Sequence, residues 1–174
     1  MANPVYIFAA LVALGSLLYA SRARATVSDK GGPVQPDVIP TLPLPRGIRN
    51  NNPGNIEYNS GQIWRGQIGT DGRYVVFDTP LNGLRALAKV LRTYMETYQL
   101  LTVREIIYRW APPPENDAEA YSIAVANSLR VRMEDFLNWN THVYGLVPAI
   151  TRHENGVQPY SDALIAEAIE AARS

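Results

Sequence analysis

The chain predicts an α+β domain, mainly α-helical with one small β-hairpin, and three observations carry that reading. Asp71-Gly72 lies between two β-prone runs, a short-range hairpin signal. Apolar residues recur at helical spacing after Thr79-Pro80 and again in several later stretches. Capping residues and prolines punctuate those stretches. The 174 residues suffice for one compact domain with appendages. Sixteen basic side chains cancel sixteen acidic ones, so the global positive field of a nucleic-acid binder is missing. With 47% apolar and 18% charged residues the chain buries a core and is not disordered throughout. The lack of cysteine excludes disulfides, zinc-thiolate sites and thiol catalysis, and two histidines are too few for an imidazole metal cage. No cofactor or metal is implied.

Val5 to Tyr19 is apolar and is followed by Arg22 and Arg24. At close to the lower limit of about 17 residues for a spanning helix, residues 1–25 read as a transmembrane anchor or a signal segment. No basic residue precedes the run, which favours retention, while Ala23-Arg24-Ala25 keeps a cleavage site in view. Residues 26–46 are interrupted by Gly31, Gly32, Pro33, Pro36, Pro40, Pro43 and Pro45 and read as an extended spacer. Residues 47–174 are left as the globular domain, held off a membrane by the spacer.

Within that domain, Asn50 to Asn55 is a turn-forming cluster that must fold as a specified loop. Runs 62–69 and 73–78 are the expected strands, joined at Thr70-Asp71-Gly72 with Asp71 as a type I′ turn residue. Thr79 caps a helix with Pro80 in its first position, carrying Leu84, Leu87, Leu91, Tyr94, Met95 and Tyr98. Thr102 and Glu105 form a capping-box pattern opening a helix through Trp110, stopped by Pro112 to Pro114. Asn116 or Asp117 caps the next helix, with Tyr121, Ile123, Ala124 and Leu129. Further helices are expected over 132–139, over 146–154 with Pro148 in its first turn or kinking it, and after Ser161 with Leu164, Ile165, Ala168 and Ile169 on one stripe.

Two passages carry chemistry. Leu146 to Pro159 is an apolar helix ending in Glu154, followed by Asn155, Gly156 and Pro159. It resembles the catalytic helix of soluble lytic transglycosylases over about fourteen residues, matching at Leu146, Val147, Ala149, Ile150, Glu154, Gly156 and Pro159. The resemblance implies a lysozyme-like domain in which Glu154 protonates a glycosidic oxygen, with the sugar's own acetamido or 6-hydroxyl group able to act as nucleophile. That role needs a carboxyl at a helix end whose pKa is raised by burial. The second passage is Arg46-Gly-Ile-Arg-Asn-Asn-Asn-Pro-Gly-Asn-Ile56 with Trp64, Phe77, Gly83-Leu-Arg85 and Arg109-Trp110 downstream. It is similar to bacteriophage virion proteins, some structural and some peptidoglycan-degrading, over most of residues 46–170. The Asn-Pro-Gly-Asn-Ile turn and Trp-containing hairpin also resemble those of flagellar-type glucosaminidases. In both lysozyme-like families the catalytic Glu precedes this turn, whereas here Glu154 follows it. Either the domain is circularly permuted or the match around Glu154 is accidental.

The candidate catalytic residues are Glu154, with Glu115 and Asp71 as second carboxylates. The candidate substrate-binding residues are Asn52, Asn55, Glu57, Trp64 and Tyr160. Each has a bland alternative: a solvated carboxylate at a helix or strand end, a turn asparagine, a buried tryptophan. Trp110 and Trp139 are further possible sugar platforms, and His153 is expected on another face of the helix, at the surface. The implied function is cleavage of the peptidoglycan glycan strand by a virion-associated or membrane-anchored protein acting in the bacterial periplasm. Its partners would be peptidoglycan, a membrane and other virion proteins, and no nucleic acid. The rival is a non-catalytic virion structural or membrane protein.

Overall fold

Pro45 presets the backbone for a single helical turn, α1 (Arg46–Arg49), which crosses the expected boundary between spacer and domain at residues 46 and 47. The computed structural model describes residues 43–114 and 116–174. The apolar segment 5–19 and most of the spacer lie outside the described residues, as does Glu115. Among the described residues no helix is long and apolar enough to cross a membrane.

From α1 the chain enters the asparagine loop, where Asn51 and Asn55 adopt φ of 50° and 48°. Asparagine tolerates this left-handed region better than other residues with a Cβ. The loop is closed from inside by Asn52, which is fully buried. Its Nδ2 donates to the carbonyls of Ile56 and Val75, both at 2.9 Å, and its Oδ1 accepts from the Ile56 N–H at 2.8 Å. The hairpin follows, with β1 (Gln67–Thr70) antiparallel to β2 (Val75–Phe77) and an irregularity between Gln67 and Gly69. Both strands are shorter than expected, and the connection is not a two-residue type I′ turn. Thr70 pairs with Val75, leaving a four-residue loop in which Gly72 has positive φ and Asp71 does not. The Asp71 carboxylate accepts the N–H groups of Arg73 and Tyr74 at 3.1 and 2.9 Å, and this side-chain turn displaces the backbone type I′ geometry.

Five helices complete the domain. In α2 (Pro80–Arg92) Thr79 caps the Asn82 N–H, and Leu84, Leu87 and Leu91 are buried on one stripe. The helix continues into a π-helical turn over Thr93–Thr97 that buries Tyr94 and Met95. Next comes α3 (Val103–Trp110), with both halves of the Thr102/Glu105 capping box formed. Asp117 caps α4 (Ala118–Leu129), which ends on left-handed Arg130.

The helix expected over 132–139 is not there; residues 131–138 are turns and extended chain. Asp135 takes both the N–H and the guanidinium of Arg132, at 2.8 Å each, which closes a local turn in competition with helix. Main-chain bonds Leu137 N to Leu101 O (2.7 Å) and Arg104 N to Met133 O (3.2 Å) tie the segment to the start of α3. Instead α5 (Trp139–Asn155) begins at the Asn138 cap, seven residues before the expected start, so Pro148 is interior to it. Pro148 removes one N–H from the ladder, a loss that packing against α2, α4 and α6 offsets. Gly156, with φ of 70°, ends α5 in the left-handed conformation. Ser161 caps α6 (Asp162–Ala171), which lies against α2. Trp110, Tyr94, Tyr121, Phe77 and Leu146 are among the largest side chains of the continuous core.

Candidate active site around Glu154

The last turn of α5 brings Glu154 to a place where three other elements converge. Asn55 of the asparagine loop donates Nδ2 to Oε2 at 3.0 Å. Trp110, the last residue of α3, donates Nε1 to Oε1 at 3.0 Å. Tyr121 of α4 donates its hydroxyl to the same Oε1 at 2.9 Å. All three donors are neutral. Burial therefore meets no cationic compensation, and it pushes the Glu154 carboxyl up to about 7 although the bonds from Asn55, Tyr121 and Trp110 pull the other way. Oε1 accepts twice and Oε2 once, so Oε2 has the room for a proton. The residue as a whole is half-buried, while its carboxyl is strongly desolvated.

The donors are themselves held. Trp110 is fully buried and meets Tyr94 edge-on at 6.3 Å. Tyr121 is buried with the imidazole of His153 stacked flat on its ring, centroids 3.4 Å apart. Burial, and then the Glu154 charge, raise the Tyr121 hydroxyl well above its ordinary value and keep it a donor. Asn155, next along α5, donates to the carbonyls of Pro53 and Thr151 at 2.8 and 2.9 Å, which fastens the asparagine loop to the helix end. Gly47 fits between them: a Cβ there would meet Asn155 Oδ1 at 2.4 Å and Asn55 Oδ1 at 2.7 Å.

Of the residues singled out from sequence, Glu154 and Asn55 come together. Asn52 does not reach the site surface; it is fully buried with its amide spent on the main chain. Asp71 accepts Arg46 Nε and Asn50 Nδ2, each at 2.6 Å, besides its two turn N–H groups. Burial would raise the Asp71 carboxyl, but the bonds from Arg46, Tyr74 N–H, Asn50 and Arg73 N–H hold it well below the usual carboxylate range. It is a clamp between α1 and the hairpin loop. Glu57 is ion-paired with Arg73 at 2.9 Å. Trp64 is half-buried at the wall of a cavity beside α2. Tyr160 is half-buried beyond the end of α5, its N–H on Gln158 Oε1 at 2.7 Å, and burial raises its hydroxyl. His153 is half-buried, with one face of its ring packed on Tyr121, and burial lowers its pKa.

Trp110 and Tyr121 are donors to Glu154 that the sequence does not announce in these roles. In the sequence Trp110 reads as a possible sugar platform, which full burial excludes, and Tyr121 as a core position. Their separations from Glu154, 44 and 33 residues, carry no local pattern. A desolvated carboxyl that retains its proton near neutrality at a helix end has the protonation state a general acid needs.

No family model matches the chain. It is similar to Protein P5 of Pseudoalteromonas phage PM2, with 42% identity over 120 residues that make up 67% of this chain and 74% of the relative. At that identity and over that share of both proteins, the chain belongs to the family of the phage PM2 Protein P5.

Proposed function

We propose that the domain cleaves the glycan strand of peptidoglycan, at the β-1,4 bond between N-acetylmuramic acid and N-acetylglucosamine, with Glu154 as the general acid. The observation that carries this reading is the Glu154 carboxyl, desolvated at the end of α5 and pushed up to about 7 among three neutral donors. Glu154 passes its proton to the glycosidic oxygen as the bond to the anomeric carbon breaks, then takes a proton back from the group that closes the reaction. Among the described residues no second carboxylate bonds into the cluster, and Asp71 and Glu57 are committed to Arg46 and Arg73. This favours closure by the substrate's own 6-hydroxyl over a two-carboxylate hydrolysis. The bond between Asn55 and Glu154 joins the two passages that resemble lysozyme-like enzymes, as a circular permutation requires. Kinship with a phage protein supports a place in a virion, with the N-terminal apolar run as membrane tether and cell-wall penetration or lysis as the setting.

The test is mass spectrometry of muropeptides released from purified peptidoglycan by wild type and by Glu154→Gln. Products ending in 1,6-anhydro-muramic acid from wild type, and none from the variant, are expected. Reducing ends would replace transglycosylation with hydrolysis. The rival reading, a non-catalytic virion structural protein, draws on the three protein donors that hold Glu154, an arrangement that suits a structural carboxyl as well. A folded wild type without products would make that the better reading.

A further inference from the structure

A cavity of about 360 Å³ lies beside α2, separate from the residues bonded to Glu154. Its volume is that of a small-ligand site. Its walls combine two chemistries. Trp64, Tyr94 and Tyr98 supply aromatic surface, Tyr94 buried and Tyr98 37% exposed. Arg65, Arg85 and Lys89 supply positive charge, and no acidic side chain is among the described lining residues. Arg65 is exposed and makes no side-chain hydrogen bond to any described residue. Arg85 gives its Nε to the neutral carbonyl of Ala171 at 3.0 Å, and Lys89 its Nζ to a terminal oxygen of Ser174 at 2.7 Å, so among the described residues no carboxylate offsets the two guanidiniums. A guanidinium without an anion, beside aromatic faces, matches a ligand that carries a carboxylate on a ring with apolar faces.

We infer that this cavity is a second saccharide site, which binds an acidic sugar by stacking on Trp64 and Tyr98 and pairing its carboxylate with Arg65 and Arg85. The site makes no use of Glu154 and holds whether or not the domain cleaves glycan. N-acetylmuramic acid and N-acetylglucosamine are matched probes, since the first carries a lactyl carboxylate that the second lacks. Titration of the full chain with each, followed through the indole N–H signals in NMR spectra, is expected to move the Trp64 signal with N-acetylmuramic acid and to show affinity about tenfold lower for N-acetylglucosamine. Arg65→Glu, a change at an exposed side chain, is expected to weaken N-acetylmuramic acid by about tenfold or more, while Glu154→Gln leaves its binding unchanged. Equal affinity for the two sugars, no binding of either, or a Trp64 signal that stays fixed would overturn the proposal. So would loss of binding in Glu154→Gln, which would move the sugar to the cluster at the end of α5. Loss of glycan cleavage with this titration intact would count against the proposed activity alone.

Discussion

Glu154 holds its proton because desolvation outweighs three hydrogen bonds, and each consequence has a sign. In the proposed role of general acid it would work only when protonated, so kcat/KM on peptidoglycan is expected to fall about tenfold per pH unit above about 7, and Glu154→Gln to lose about a hundredfold or more. The Tyr121 bond favours the charged form. Tyr121→Phe, which keeps the ring against His153, should therefore shift the alkaline limb upward; an unmoved limb would mean another group titrates. The same carboxyl sets a stability trend. Its folded pKa lies above the unfolded value, so its favourable contribution is complete below about 4.5 and is lost as pH rises toward about 7. The difference amounts to about 3 kcal/mol. Urea titrations at pH 5 and pH 8 should show wild type losing stability relative to Glu154→Gln across that interval; a constant difference would remove Glu154 as the cause.

The seams between helix and loop depend on glycines where no Cβ fits. A Cβ on Gly83 of α2 would lie 1.7 Å from the Asn51 carbonyl, and one on Gly47 of α1 would press on Asn155 and Asn55. Gly83→Ala should cost about 3 kcal/mol or more, and Gly47→Ala about 1–3 kcal/mol with a disproportionate loss of activity, since it displaces the Asn55 donor. Thermal melts and turnover measured together separate the two effects. Asn52→Ala, which removes three bonds to the main chain and leaves the Ile56 carbonyl only the Val75 N–H, should cost about 2–4 kcal/mol by chemical denaturation. Elements announced by a local side-chain-to-backbone bond were legible in the sequence: the Thr79, Thr102, Asp117 and Ser161 caps all form. What failed was decided by longer-range bonds or by a competing local one. The segment 131–138 is drawn off by Leu101 and by the Arg132–Asp135 turn, and α5 runs through Pro148 because three helices pack around it. The candidate site was half legible. Glu154 showed in its motif and Asn55 in its loop, whereas Trp110 read as a possible sugar platform and Tyr121 as a core residue, and both became donors through packing.

The described domain has one hydrophobic core, and α5 touches α1, α2, α4 and α6. Unfolding is thus expected to be a single transition. Trp64, half-buried at a cavity, and Trp110 and Trp139, both buried, report on different neighbourhoods. Their fluorescence and the far-ultraviolet circular dichroism should lose signal at one urea midpoint. Separated midpoints would mean that the hairpin and asparagine loop open before the helices.

Asn55 and Glu154 lie 99 residues apart, and that distance is also a delay. A ribosome adding about 5–20 residues per second completes the asparagine loop about 5–20 seconds before it reaches the end of α5. Throughout that interval the nascent chain has a donor without its carboxyl, and even the capped helices α2, α3 and α4 precede it. When Glu154 emerges it meets partners already synthesised, and its proton affinity rises only as they close over it. Such a carboxyl is born with an ordinary proton affinity and gains its raised one late in the assembly of the domain.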